Sequence, residues 1–125
     1  MNKTYIIGGL IVLVGLVGLL KYLSYEETRP GPLDQFAVCL KDKGAVFYGA
    51  FWCPHCAAQK KLFGNSKRLL PYQECSTPDA QGQLPECAEK KIETYPTWIF
   101  ADESRLTGEI KLATLAEKTG CVLPN

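Results

Sequence analysis

Ala45-Val46-Phe47-Tyr48-Gly49-Ala50-Phe51-Trp52-Cys53-Pro54-His55-Cys56 joins a continuous apolar run to a pair of thiols. The run 45–51 has the length and composition of a buried strand. A Cys-x-x-Cys behind such a strand falls at the start of a helix, so its two sulfurs sit one turn apart. Cys53 then lies at the helix N-terminus, where unpaired backbone N–H groups and the macrodipole favour an anion and stabilise a thiolate. The pair can pass between dithiol and disulfide without moving the backbone. Cys53 reads as the nucleophile, being first in the motif and the more exposed, and Cys56 as the thiol that resolves a mixed disulfide. A structural disulfide and half of a zinc site are the plainer alternatives. Zinc ribbons bring a second Cys-x-x-Cys, whereas Cys75 and Cys87 stand well apart and the chain holds a single histidine. The pattern favours redox chemistry, with no metal and no small-molecule cofactor.

Toward the N-terminus, residues 5–23 are almost continuously apolar. At about 1.5 Å per residue they cover roughly 28 Å, close to the thickness of a bilayer core. Lys21 falls near the end of the run, where its stem can carry the charge to the headgroups. A cleaved signal peptide is the rival reading. The run is longer than a usual signal core, however, and no small-x-small site follows in Lys21-Tyr22-Leu23-Ser24-Tyr25. Residues 1–24 are therefore expected to be an uncleaved anchor, 25–32 a polar linker broken by Pro30, Gly31 and Pro32, and 33–125 one domain.

The 125 residues carry 14 basic and 13 acidic side chains. Lys3 and Lys21 flank the anchor, which leaves the rest near neutral, without the basic patch that nucleic acid would require. Those flanking charges orient the anchor poorly. The cysteines do so better: all six follow the anchor, and an even, high count suits an oxidising compartment. The expected protein is thus a single-pass protein of the cell membrane, with its domain outside the cytoplasm and its amino terminus inside.

Within the domain, Leu33, Phe36, Ala37 and Leu40 recur at helical spacing and predict a helix over 33–43, ended by Gly44. A strand over 45–51 and a helix over 53–63, stopped by Gly64-Asn65, follow. A second strand is expected over 69–75, a loop from Ser76 past Gly82, a short helix over 85–92, and strands over 97–100 and 105–108. A helix over 112–118 closes the chain. This order implies an α/β fold, with a central mixed sheet covered by helices.

The succession of strand, Cys-Pro-His-Cys, helix and a later Tyr95-Pro96-Thr97 before a strand is similar to the thioredoxin fold. More narrowly, three segments resemble the thioredoxin-like domain fused to bacterial and plant homologues of vitamin K epoxide reductase. They are the stretch from Phe47 to Cys56, then Tyr72-Gln73-Glu74-Cys75-Ser76-Thr77-Pro78-Asp79, then Tyr95-Pro96-Thr97-Trp98, and the likeness runs over about 36–120. It implies that Tyr95, Pro96 and Thr97 form a cis-proline loop that faces the sulfur pair and offers backbone groups to an extended substrate. Trp52 and Trp98 either border that surface or belong to the core. Pro54-His55 between the cysteines resembles DsbA: His55 can carry positive charge and donate towards the Cys53 thiolate, and a stabilised reduced form makes the disulfide a stronger oxidant. Reducing thioredoxins carry a buried Asp in the strand before the motif, and 45–51 has no carboxylate, which weakens a reductase reading. No multi-helix quinone-reducing domain accompanies these segments. The resemblance therefore implies a separate quinone-reducing membrane protein, like vitamin K epoxide reductase, as the reoxidising partner.

Cys75 and Cys87 read as a staple across the loop between them, worth roughly 3 kcal/mol by chain entropy, with an electron relay as the alternative. By elimination Cys39 pairs with Cys121 and ties down the C-terminal tail. The sequence thus points to a membrane-anchored, extracytoplasmic thiol–disulfide oxidoreductase that oxidises exported cysteine-containing proteins. A reductase or isomerase of the same fold, and a non-catalytic scaffold subunit of a membrane complex, are the alternatives.

Overall fold

The computed structural model describes residues 3–125, apart from the side chains of Thr4 and Glu27. It opens on helix α1 (Lys3–Thr28), in which Tyr5–Glu26 is long and apolar enough to cross a membrane and has no buried residue in its apolar stretch. The helix runs past residue 24 into the expected linker. Thr28 Oγ1 donates to the Ser24 carbonyl at 3.1 Å, and Pro30 ends the helix by forcing Arg29 out of helical geometry. The short irregular stretch that follows is clamped to the domain. Gly31 N–H donates to Asp34 Oδ1 at 3.1 Å, and Leu33 N–H donates to Ser66 Oγ at 3.1 Å. Arg68 grips both Asp34 oxygens, at 2.8 and 2.6 Å, and this guanidinium holds the Asp34 carboxyl well below the usual carboxylate range.

Beyond this clamp come α2 (Asp34–Asp42), β1 (Val46–Gly49), α3 (Pro54–Lys61), a 3₁₀ segment (Gly64–Leu69), β2 (Tyr72–Glu74), α4 (Pro85–Glu89), β3 (Thr97–Ile99), β4 (Arg105–Thr107) and α5 (Leu112–Thr119). The element order follows the sequence expectation, with shorter strands and one addition. β1 stops at Gly49 because Ala50 turns, its carbonyl accepting from Cys53 N–H at 3.0 Å. β2 begins only after Pro71, which has no N–H to give a ladder. The 3₁₀ segment occupies the stretch expected to stop the helix at Gly64-Asn65 and lead into the second strand.

The four strands form one mixed sheet in the order β2-β1-β3-β4, with β1 parallel to β2 and the other neighbours antiparallel. The parallel pair requires a crossover, and α3 supplies it. Alternation along the strands sends side chains to two faces. Phe47 and Trp98 are register partners on one face, stacked 5.0 Å apart and fully buried among Phe36 and Leu40 of α2, Phe63, and Leu115 of α5. Each such side chain contributes about 1.5–3 kcal/mol of transfer free energy. Trp98 is therefore core and takes no part in a substrate surface. On the other face Tyr48 and Ile99 pack with Ile92 and the Cys75–Cys87 disulfide. A second disulfide, Cys39–Cys121, joins α2 to the tail beyond α5.

Candidate active site

β1 delivers the chain to Cys53, the N-cap of α3, in extended geometry at φ −80° and ψ 119°. Pro54 occupies the first helical position, where a missing N–H costs nothing. Cys53 Sγ accepts the backbone N–H of Cys56 at 3.3 Å, so the sulfur takes the place a Ser or Asp oxygen takes at an ordinary N-cap. On its other side the same sulfur lies 3.8 Å from the Tyr95 carbonyl. Both Cys53 and Cys56 are free thiols, and both are buried, 5% and 1% exposed. Exposure therefore barely separates them. Their surroundings do, because Cys53 sits among polar backbone groups and Cys56 against β1.

Burial, reinforced by the neighbouring Cys53 sulfur, pushes the Cys56 thiol up to about 12. It packs so closely on β1 that a Cβ at Gly49 would stand 2.9 Å from Cys56 Sγ, and the same Cβ would stand 2.9 Å from Tyr72 Cε2. Tyr72 is in turn fixed from both ends. Its hydroxyl donates to Glu74 Oε2 at 2.7 Å, and Lys60 Nζ lies 3.4 Å from its ring centroid. Glu74 Oε1 accepts from the N–H groups of Phe51, Cys75 and Ser76. One carboxylate thus holds the strand β2 and the turn leading into Cys53 together. Burial and the Glu74 carboxylate raise the Tyr72 hydroxyl far above its ordinary value.

His55 is engaged by a carboxylate and not by a sulfur. Its Nδ1 pairs with Glu109 Oε1 at 2.7 Å on the loop before α5, and no His55–Cys53 bond forms among the described residues. The same loop is fastened to α3 by Gln59, fully buried, whose Nε2 donates to the Ile110 carbonyl at 3.0 Å while its Oε1 accepts Ile110 N–H at 2.6 Å. Across the site the Tyr95–Pro96 peptide bond is cis. The Pro96 carbonyl accepts from Gly108 N–H at 2.9 Å, and the Thr97 hydroxyl donates to Thr94 at 2.8 Å. That leaves the Tyr95 carbonyl as the group of this loop that faces Cys53. Trp52 is half exposed; its indole N–H donates to Ser76 Oγ at 2.8 Å and its ring meets Tyr95 edge-on at 6.0 Å. With Phe51, 58% exposed, it makes an apolar rim beside the thiols.

The structure thus gathers Trp52, Cys53, Pro54, Cys56, Tyr95 and Pro96 around the thiols, while His55 pairs with Glu109 and the Thr97 side chain is buried at the start of β3. Cys75, Cys87, Cys39 and Cys121 are paired in the two disulfides. Sequence reasoning missed Glu109, Gln59, Lys60, Tyr72 and Glu74 as site residues, although the polar Tyr-x-Glu before Cys75 was in view. A free thiol at a helix N-cap, with a second thiol one turn on and an accessible apolar rim, is suited to exchange with another protein's sulfur. No protein-family model matches the chain. It is similar to the thiol-disulfide oxidoreductase LTO1 of Arabidopsis thaliana, 49% identical over 86 residues. That match covers 65% of this chain and 22% of the relative, so the chain spans about a fifth of that protein's length. The similarity supports oxidoreductase activity, in keeping with the thiol geometry.

Proposed function

We propose that this chain is a membrane-anchored thiol–disulfide oxidoreductase of thioredoxin fold that oxidises exported protein thiols through a Cys53–Cys56 disulfide. The observation that carries the reading is the position of Cys53: its sulfur caps α3 and accepts the Cys56 N–H. A thiolate released there gains a charge-assisted hydrogen bond and the helix dipole, so Cys53 is a good leaving group and a good nucleophile. The mixed sheet, the β1–α3–β2 crossover and the Tyr95-Pro96-Thr97 loop beside the thiols support the fold assignment.

In the forward reaction a substrate thiolate attacks Cys53 Sγ, the Cys53–Cys56 bond breaks, and Cys56 leaves as a thiolate and is protonated. A second substrate thiolate then attacks the substrate sulfur of the mixed disulfide. The substrate disulfide forms, Cys53 departs as a thiolate, and two electrons remain in the dithiol. A quinone-reducing membrane protein, like vitamin K epoxide reductase, takes those electrons and restores the disulfide. The apolar helix α1 holds the domain at the membrane, on the extracytoplasmic side, where the two structural disulfides persist.

A Cys56→Ala variant of the full chain, expressed in membranes, tests this. Without a resolving thiol, Cys53 should accumulate in mixed disulfides with exported cysteine-containing proteins and with a multi-span membrane oxidant. Recovery of cytoplasmic proteins alone would overturn both the sidedness and the oxidase assignment. One observation favours a disulfide reductase or isomerase as the second reading: His55 is bonded to Glu109 and not to Cys53. A redox titration against glutathione separates the two, an oxidase lying well on the oxidising side of thioredoxin.

A further inference from the structure

We propose that Lys60 is a positioning residue for thiol exchange, its ammonium supplying the countercharge for the Cys56 thiolate. The inference rests on the exchange activity proposed above and assigns a residue to the step at which Cys56 carries charge. In either direction Cys56 passes through a thiolate: it leaves as one when a substrate sulfur attacks Cys53, and it attacks as one when it resolves the Cys53 mixed disulfide. In the resolving step Cys56 S⁻ bonds to Cys53 Sγ, the Cys53–substrate bond breaks, and the substrate sulfur carries the electron pair away. In the reverse step Cys56 keeps the pair and is protonated from solvent. A thiol packed against β1 with 1% exposure has little water to stabilise that charge, so the protein must.

Lys60 is placed to do so. It lies four residues beyond Cys56 in α3, on the same side of the helix. Its Nζ sits 3.4 Å from the Tyr72 ring centroid. The Tyr72 ring edge and Cys56 Sγ each stand 2.9 Å from the point where a Gly49 Cβ would lie, so sulfur and ring are at most twice that distance apart. The ring is pinned by its bond to Glu74, whose own position is fixed by three backbone N–H groups. Lys60 is therefore held over the face of a pinned ring whose edge approaches the buried sulfur. The titratable and charged groups that face this pair are Cys53 on α3, Tyr72 and Glu74 on β2, and, toward Lys60, Lys67 on the 3₁₀ segment. Burial lowers the Lys60 pKa while the Glu74 and Cys56 charges raise it, and Lys60 in turn favours the Cys56 anion.

The full chain in detergent micelles, loaded with glutathione at Cys53, reports the step directly as glutathione release against pH. Lys60→Met should raise the Cys56 pKa by about one unit and slow release about threefold at pH 7, the tenfold loss of thiolate being partly offset by the greater nucleophilicity of a more basic sulfur. Lys60→Arg should keep the wild-type profile. A Lys60→Met profile that superimposes on wild type overturns the inference, as does a Lys60→Arg variant as slow as Lys60→Met. A wild-type chain that exchanges nothing with glutathione overturns the proposed activity and this inference with it. An active wild type with an unmoved Lys60→Met profile overturns this inference alone.

Discussion

Gly49→Ala isolates the packing of β1 against the site. A Cβ there would lie 2.9 Å from Cys56 Sγ, 2.9 Å from Tyr72 Cε2 and 3.4 Å from Cys56 Cβ. Comfortable separations between such atoms are about 3.5–4.0 Å, so the new methyl overlaps two groups by roughly 0.6–1 Å each. Neither can easily give way. Cys56 is fixed by the first turn of α3, and the Tyr72 ring is held between Glu74 and Lys60. Overpacking of this kind costs about 1–3 kcal/mol, offset by up to about 1 kcal/mol from the stiffer unfolded chain. The expected net loss is about 1–2 kcal/mol, read as a lower urea midpoint of the reduced full chain in micelles. Because one of the two obstructed atoms is the reacting sulfur, exchange with glutathione should slow as well. Gly82→Ala is the control: its Cβ would meet Thr77 at 3.4 and 3.5 Å, which is ordinary contact, so little should change. A Gly49→Ala protein with wild-type midpoint and wild-type exchange would refute the close packing of Cys56 on β1.

The raised Cys56 pKa makes the stability of the reduced protein depend on alkali. Below its usual value of 9.0 the thiol is protonated in both folded and unfolded chains; between 9.0 and about 12 only the unfolded chain ionises, so stability falls as pH rises through that window. The thermal midpoint of the reduced form should fall relative to that of the oxidised form from pH 8 to pH 10, and an unchanged difference would count against the burial of Cys56. Replacing Cys75 and Cys87 by Ala should cost about 3 kcal/mol, and replacing Cys39 and Cys121 about 4.5 kcal/mol, from loops of separation 12 and 82. Both pairs of variants should keep the Cys53 alkylation rate, which distinguishes staples from a relay. Glu109→Gln should free His55 to approach Cys53, favouring the reduced form in a glutathione titration by at most about fivefold, as befits an exposed pair. An unchanged titration would mean that His55 has no hold on Cys53 even when released.

What the sequence made legible was local. The apolar run ending in two spaced cysteines placed β1 and α3, and the spacing of Phe36, Ala37 and Leu40 placed the buried face of α2. The 3₁₀ segment was illegible because Gly64-Asn65-Ser66-Lys67-Arg68-Leu69 has no apolar period. It is held instead by bonds to distant partners, Ser66 to Leu33 and Arg68 to Asp34. The partner of His55 was illegible for the same reason: Glu109 lies 54 residues away, brought near by the Gln59 clamp on Ile110.

Residues 45–51 carry no carboxylate, and the sequence of that one strand shows no more than this. Strand pairing sets Glu74 opposite Gly49 in the neighbouring parallel strand, so the sheet supplies from β2 a carboxylate that β1 lacks. That carboxylate reaches the site differently, by holding Tyr72 and the N–H groups of the active-site turn, with Lys60 beside it. The charged groups around the thiols, Glu74, Lys60 and the His55–Glu109 pair, are therefore brought together by the assembled sheet and helix and belong to no single segment.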